Sequence, residues 1–336
     1  MSEEIRISFE GRSYLLEEGE SVLDCLLRNR ESLDSYCRSG VCQSCVVKAR
    51  PHSRDAVPAR AQVGLKEAAK RAGLMLACVC RPTQPLELER AEALPRYATR
   101  IHDVRPLSPS VLRVELEVPS GFEYQAGQFI QLERPQDGLM RPYSLASLPS
   151  DPCLELHVAR LENGAMSGWL ESAVGQPVTI KGPLGECSYF DGEPERPLLL
   201  AGTGTGLAPL LGVIRAAARA RHQGPITLLH GARDAAGIYH AEKLARLRAA
   251  IPNLRVLAVA LEGPLPSDPG LEWRSGALDQ QLFSEYAQLD EHRLYFCGNP
   301  ELVGRLKKRA YLAGASLARI HSDPFLAPTQ APQARS

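Results

Sequence analysis

Three cysteines crowd into nine residues, Cys37-Arg38-Ser39-Gly40-Val41-Cys42-Gln43-Ser44-Cys45, and two more follow in Leu76-Ala77-Cys78-Val79-Cys80-Arg81-Pro82. No other feature restricts the fold as much, because thiolates that share a metal site must be held by one tight loop. The C-x4-C-x2-C…C spacing is that of a 2Fe–2S centre held by four thiolates. Zinc ribbons and fingers pair their ligands as separate short knuckles, so an x4 gap overlapping an x2 gap fits them poorly. Gly40 gives the loop a backbone free to take positive φ and to approach a metal–sulfide core. The plainer reading is a set of buried reduced thiols, since free cysteine packs as a small hydrophobe. The spacing alone leaves Cys78 and Cys80 both open as the fourth ligand.

The rest of the chain must fold around something else. At 336 residues it is long enough for two or three domains with their own cores. Its 39 basic and 39 acidic residues cancel, so no global field draws it to nucleic acid or to an anionic membrane. Nine acidic residues against four basic ones precede Cys37, a bias that suits an acidic docking face or a solvated surface. The cysteine count is nine, an odd number that does not indicate a disulfide framework. With no apolar leader after Met1 and no run of membrane-spanning length, the chain reads as soluble and cytoplasmic.

The texture changes twice along the sequence. Ile5 to Phe9 alternates apolar and polar, Gly11 marks a turn, and Tyr14-Leu15-Leu16 completes a hairpin. Ser21 is placed to cap a helix carrying Val22, Leu23, Leu26 and Leu27. Val46-Val47 predicts a strand, residues 50 to 62 an exposed excursion, and 65 to 71 a helix. After a linker containing Pro95, short β segments bounded by Pro and Gly predict an antiparallel barrel or sandwich. They are Thr99 to Val118, Gln128 to Glu133, Tyr143 to Ala146, Leu154 to Arg160 and Pro177 to Lys181. From Pro197, apolar strands alternate with helices over 240–250, 277–288 and 300–313, the pattern of a doubly wound parallel α/β domain.

In that last part, the strand Leu198 to Ala201 runs into Gly202-Thr203-Gly204-Thr205-Gly206 and then a helix with Pro209 in its first turn. A glycine turn at a strand-to-helix junction lets backbone amides face a pyrophosphate at close range. It lacks the G-K-S/T of a nucleoside triphosphatase. Asn299-Pro300-Glu301 reads as helix cap, first-turn proline and first-turn acid. No Ser-His-Asp set stands out among the eight histidines.

Residues 1 to 92 resemble a plant-type ferredoxin, a β-grasp-like domain, with Cys37, Cys42, Cys45 and Cys78 at its ligand positions; Pro82 fits that pattern and favours Cys78 over Cys80. Residues 96–192 and 195–328 resemble the two halves of the ferredoxin:NADP reductase superfamily, an antiparallel β-barrel flavin domain followed by a parallel α/β nucleotide domain. The resemblance rests on Arg141-Pro142-Tyr143-Ser144 (R-x-Y-S/T), Gly164-Ala165-Met166-Ser167 (G-x-x-S), the turn from Gly202 to Pro209, and Phe296-Cys297-Gly298-Asn299-Pro300 (C-G-x-P). Residues 329–336 read as a loose tail. The whole chain is similar to the reductase components of bacterial multicomponent oxygenases.

The resemblance implies FAD, NADH or NADPH, and a 2Fe–2S cluster near −400 mV, an order of magnitude for plant-type centres. Arg141 and Ser167 would hold a flavin diphosphate, Tyr143 would lie along the flavin, and Ser144 would hydrogen-bond its N5. Gly164 and Met166 belong to the same motif, and His157, Val158 and Arg160 would contact the adenosine half. Gly202, Thr203, Gly204, Thr205 and Gly206 would cradle the nucleotide, and Cys297, with Gly298 and Pro300, would lie beside the nicotinamide. Phe325 would cover the flavin. Arg233, followed by Asp234, falls where the adenosine ribose should lie and leans the choice slightly to NADH. Ser144 and Cys297 are the expected catalytic pair. The implied partner is an oxygenase component or a separate ferredoxin. The rivals are a reductase for another acceptor, such as a sugar-deoxygenating dehydrase, and a redox-sensing module without turnover.

Overall fold

The computed structural model describes residues 5–33, 35, 38, 40, 43–65, 67–92, 94–266 and 270–325. Cys37, Cys42 and the expected tail at 329–336 lie outside the described residues. The chain divides into two compact units, with the boundary between Pro95 and Arg96.

In the first unit, β1 (Arg6–Phe9) and β2 (Arg12–Leu15) form the expected hairpin, pairing Ile7 with Tyr14. Ser21 caps α1 (Val22–Arg28) by accepting from the Asp24 amide, which meets one of the helix's orphan donors. β3 (Val46–Ala49), α2 (Glu67–Arg71), β4 (Leu74–Leu76) and β5 (Leu86–Arg90) complete the unit in sheet order β2-β1-β5-β3-β4. The stretch expected to be an exposed excursion holds two 3-10 turns, Pro51–Ala56 and Ala59–Gln62, and buries Ser53 and Ala61. Ile7, Phe9, Leu23, Leu26, Met75 and Leu88 share one core.

The second unit begins with β6 (Arg96–Ser108), β7 (Val111–Glu117), β8 (Phe129–Glu133), β9 (Met140–Ser144) and β10 (Cys153–Ala159). A short helix, α3 (Ala165–Leu170), and β11 (Pro177–Leu184) follow. The six strands run antiparallel in the order β10-β7-β6-β11-β8-β9, and a Leu145–Leu156 bridge brings the two end strands together as a barrel. Closure removes the exposed edges that an open sheet would leave.

The chain continues through β12 (Leu198–Thr203), α4 (Leu207–Arg219), β13 (Ile226–Ala232), α5 (Ala241–Ala250), β14 (Leu254–Ala260), β15 (Glu272–Ser275), α6 (Leu278–Glu285), β16 (Arg293–Gly298), α7 (Pro300–Leu312) and β17 (Ile320–Pro324). The sheet is parallel throughout, in the order β15-β14-β13-β12-β16-β17. Alternate residues of β12 feed opposite faces: Leu198 and Leu200 pack in one core with α4 and α5, Leu199 and Ala201 in another with α6 and α7. The chain reverses direction across the sheet between β12 and β16. In an open α/β sheet that crevice, beyond the strands' carboxyl ends, is where ligands bind.

Candidate functional site

In the first unit, the antiparallel register that sets Val46 opposite Leu76 carries Cys45 to the side of the turn Ala77–Val79. The Ala77 amide donates to the Cys45 carbonyl at 3.1 Å. Cys45 and Cys78 are both buried in this core. Gly40 has φ +81, and a Cβ there would meet the Val79 side chain at 3.1 Å, so the Gly40 backbone packs directly on the turn that carries Cys78. Gln43 and Arg60 tie the surroundings down, donating to the carbonyls of Gly64 and Val79 at 2.8 Å.

In the second unit, the crevice between β12 and β16 is built by interlocking glycines. A Cβ on Gly206 would sit 2.5 Å from the Cys297 carbonyl oxygen, so the turn and the end of β16 touch backbone to backbone. Gly204 is the opposite case: φ is +53 and nothing lies within 4 Å of its missing side chain. The turn is therefore closed behind and open in front. His230 supports it from β13, its ring Nε2 lying 3.2 Å from the Gly204 carbonyl oxygen. Burial pushes this imidazole down to about 4, so at neutral pH it is uncharged and can donate there. Gly206→Ala is expected to cost about 1–3 kcal/mol of stability and to raise the KM for a nucleotide; urea midpoints and steady-state kinetics check the two effects.

Cys297 is fully buried and sits 3.4 Å from Cys187 Sγ, across from the segment that leaves the barrel. Burial, then the Cys187 contact, pushes its thiol well above the usual range; the group is a neutral thiol. Cys297 pairs with Asp323 across β16 and β17. Asp323 Oδ2 accepts from Ser144 Oγ at 2.7 Å. Burial raises the Asp323 carboxyl to about 6, against the lowering effect of that hydrogen bond. Ser144 ends β9 of the barrel, so one carboxyl joins two sequence motifs that come from different sheets.

Arg141 is half-buried on β9 and donates to the Met140 carbonyl at 2.8 Å; among the described residues no carboxylate pairs with it. Tyr143 is half-buried beside it. Ser167 Oγ accepts from the Leu161 amide at 3.3 Å and closes the Gly164 turn. Asn299 accepts from the Leu302 amide at 3.0 Å, the capping role its sequence suggested. The Phe325 amide donates to the Gly298 carbonyl at 2.7 Å.

Residues 5–83 match a 2Fe–2S iron-sulfur cluster binding domain, residues 99–189 an oxidoreductase FAD-binding domain and residues 200–308 an oxidoreductase NAD-binding domain. The reductase component of the naphthalene 1,2-dioxygenase/salicylate 5-hydroxylase systems of a Ralstonia species is 32% identical over 326 residues, covering 92% of this chain and 94% of that one. The chain belongs to the family of oxygenase-system reductase components. The reductase subunit of an aromatic O-demethylase from an Amycolatopsis species is 30% identical, covering 95% of this chain and 98% of that one. The crystal structure of an Amycolatopsis cytochrome P450 reductase has the same fold, with a TM-score of 0.68 at 28% identity over 97% of this chain and 100% of that one.

The reductase therefore carries 2Fe–2S, FAD and NAD binding domains, and its residues fit the three groups. Cys45 and Cys78 bring thiol sulfur to two backbone-linked segments of one core, the donor chemistry an iron–sulfur cluster needs. Arg141, a half-buried guanidinium without a carboxylate partner, suits a diphosphate. The open front of Gly204 suits a close backbone approach by a dinucleotide. Among the described residues no helix is long and apolar enough to cross a membrane.

The side chain of His157 is engaged within the protein. Its Nδ1 lies 3.0 Å from the Tyr239 hydroxyl and its Nε2 2.9 Å from Glu155 Oε1, and the ring is buried. Among the described residues the outer edge of β10 has no strand partner past the Leu145–Leu156 bridge. Arg160 pairs with Glu171 at 3.0 Å. Glu155 also accepts from Lys243 at 3.1 Å and from Arg113. Burial would raise the Glu155 carboxyl, but His157, Lys243 and Arg113 together hold it well below the usual range. Glu155, His157 and His240 put their ligand atoms within 4.8 Å of one another, yet the Lys243 and Arg113 cations already meet the carboxylate, so the cluster is a tie between barrel and nucleotide sheet. Sequence reasoning missed this tie and missed Asp323; the one signal for the latter was its place beside Pro324 and Phe325.

Proposed function

We propose that this reductase takes electrons from NAD(P)H and delivers them, by way of FAD and its 2Fe–2S cluster, to an oxygenase component or to that oxygenase's ferredoxin, working in the cytoplasm. The observation that carries the reading is the meeting of Ser144, Asp323 and Cys297 at the carboxyl ends of β16 and β17. Residues 1–92, 96–192 and 195–328 are assigned in that order to the cluster, the flavin and the nicotinamide nucleotide.

With all three groups bound, the flavin supplies the exchange between a two-electron hydride and a one-electron cluster. The chain's own residues position and protect that chemistry. Arg141 forks onto the diphosphate, with the Gly164–Ser167 turn, including Met166, beside it. Pro142 and Tyr143 line the flavin's length, the backbone of His157 and Val158 with the nearby Arg160 meets the adenosine half, and Phe325 covers the ring. Gly202 to Gly206 approach the nicotinamide nucleotide through their backbone, and Gly298 and Pro300 keep the end of β16 open at Cys297. The neutral Cys297 thiol is small and polarisable, so it fills space beside a nicotinamide without adding charge. Asp323 Oδ2 holds or releases a proton near neutral pH, and Ser144 Oγ is the group that links it to a flavin edge. Cys37, Cys42, Cys45 and Cys78 hold the cluster.

The cofactor-loaded reductase is expected to reduce ferricyanide and cytochrome c with NAD(P)H. Loaded protein that shows neither activity, with its flavin unbleached by either nucleotide, would contradict the reading.

A further inference from the structure

We infer that Glu262 sets the preference for NADH over NADPH by holding Arg233. The inference rests on the reading of residues 195–328 as the nicotinamide nucleotide domain. The parallel ladder between β13 and β14 continues past both strand ends: the Leu261 amide donates to the Ala232 carbonyl at 3.0 Å and the Glu262 amide to the Arg233 carbonyl at 2.9 Å. Backbone pairing thus fixes Arg233 and Glu262 as neighbours at the carboxyl edge of the sheet. Their side chains form an ion pair. Both are open to solvent, Arg233 at 82% and Glu262 at 55%, so a ligand can reach them.

Their position is that of a nucleotide's ribose. β13 lies next to β12, with Gly231 opposite Thr203 at the head of the glycine turn, and Arg233 is the second residue beyond Gly231. In doubly wound domains the adenosine ribose lies at this corner. Asp234, the third charged group there, is committed to its own turn, its Oδ1 accepting from the Gly237 amide at 3.0 Å. Among the described residues Arg233, Asp234 and Glu262 give this corner two carboxylates and one guanidinium, and the guanidinium is already paired.

A 2′-phosphate brings up to about two negative charges to that corner. It must compete with Glu262 for Arg233 and lie close to a carboxylate, an arrangement that disfavours binding. A 2′-hydroxyl is neutral and can donate to the same carboxylate. Arg233 alone would point to NADPH; the partner supplied by β14 reverses the preference.

The test is steady-state ferricyanide reduction by the full-length, cofactor-loaded reductase with NADH and with NADPH, at low and high salt. The unaltered protein is expected to favour NADH in kcat/KM. Glu262→Gln is expected to raise the NADPH-to-NADH ratio about tenfold, a single step on the affinity scale, with the gain shrinking as salt screens the exposed charges. Adding Arg233→Gln to that variant should remove the gain, which a purely structural role for Glu262 would not produce. A ratio unchanged within about twofold in Glu262→Gln, an interval far below that step, or an unaltered protein that favours NADPH, overturns the inference while leaving the enzyme reading intact. If neither nucleotide reduces the loaded protein, the nucleotide-domain reading itself fails.

Discussion

Cys78→Ser protein is expected to lose the visible bands of the 2Fe–2S cluster and its cytochrome c reduction, whereas Cys80→Ser keeps both. The two cysteines are a residue apart in a turn and its exit, but their surroundings differ. Cys78 lies within the Ala77–Val79 turn, whose first amide is bonded to the Cys45 carbonyl and against whose Val79 the Gly40 backbone packs. Cys80 follows the turn, has no exposed surface, and its carbonyl accepts from the Val22 amide at 2.9 Å, tying it to the start of α1. Both thiols belong to the domain core, but the turn that carries Cys78 meets Gly40 and Cys45, whereas Cys80 is tied to α1. Losing an outer partner of a metal site costs about 10–100-fold, and losing a ligand should exceed that in cytochrome c reduction. Ferricyanide reduction, which a flavin alone can support, should survive in the same Cys78→Ser sample. The opposite pattern, with bands lost only in Cys80→Ser, would transfer the ligand role to Cys80.

Removing the Ser144 hydroxyl is expected to slow flavin reduction by about 100-fold, the lower end of what positioned proton transfer contributes. Stopped-flow bleaching with excess NAD(P)H measures it, and a rate within a few-fold of the parent would remove Ser144 from the chemistry. Its partner makes a separate prediction about pH. Folding raises the Asp323 carboxyl from its ordinary value of 3.8 to about 6, so the folded chain holds this proton more tightly than the unfolded chain. The carboxyl's contribution to stability is complete below about pH 3.8 and is lost as pH rises through about 6. Asp323→Asn keeps an oxygen for Ser144 and never ionises. It should therefore match the parent at pH 4 and exceed it by roughly 3 kcal/mol at pH 8, read from urea midpoints at the two pH values. A parent that gains on the variant as pH rises would contradict the assignment of Asp323 as a carboxyl whose protonated form burial favours.

Much of this fold is written locally. Ser21 caps its helix, Asn299-Pro300 starts another, and the apolar run into Gly202–Gly206 becomes strand, turn and helix because propensity, period and turn chemistry agree there. The missing elements lacked such agreement. β15, Glu272–Ser275, is a half-buried edge strand without alternation, and β17, Ile320–Pro324, ends on a proline that sequence reasoning associates with turns. The single run expected over Thr99 to Val118 is two strands, since Ser108 to Ser110 turn the chain with no glycine to mark the place.

The site was legible in its motifs and not in its packing. β10 is buried along both faces from Leu154 to Val158, because the barrel interior covers one side and the nucleotide sheet approaches the other. The alternation that would have turned His157 inward on paper is absent, and its side chain reaches Tyr239, 82 residues away in sequence. Asp323 was hidden for a related reason: only the three-dimensional pairing of β16 with β17 reveals that a lone aspartate lies between Ser144 and Cys297.

One chain carries a hydride donor's electrons through a flavin to an iron–sulfur centre. Anaerobic addition of NADH to the full-length loaded protein, followed by visible absorbance and electron paramagnetic resonance, tests it most directly. The flavin band is expected to bleach as a reduced-cluster signal appears, and Cys78→Ser is expected to show the first without the second. Bleaching of the flavin in the unaltered protein, with a fully loaded cluster that stays oxidised under excess NADH, would contradict it.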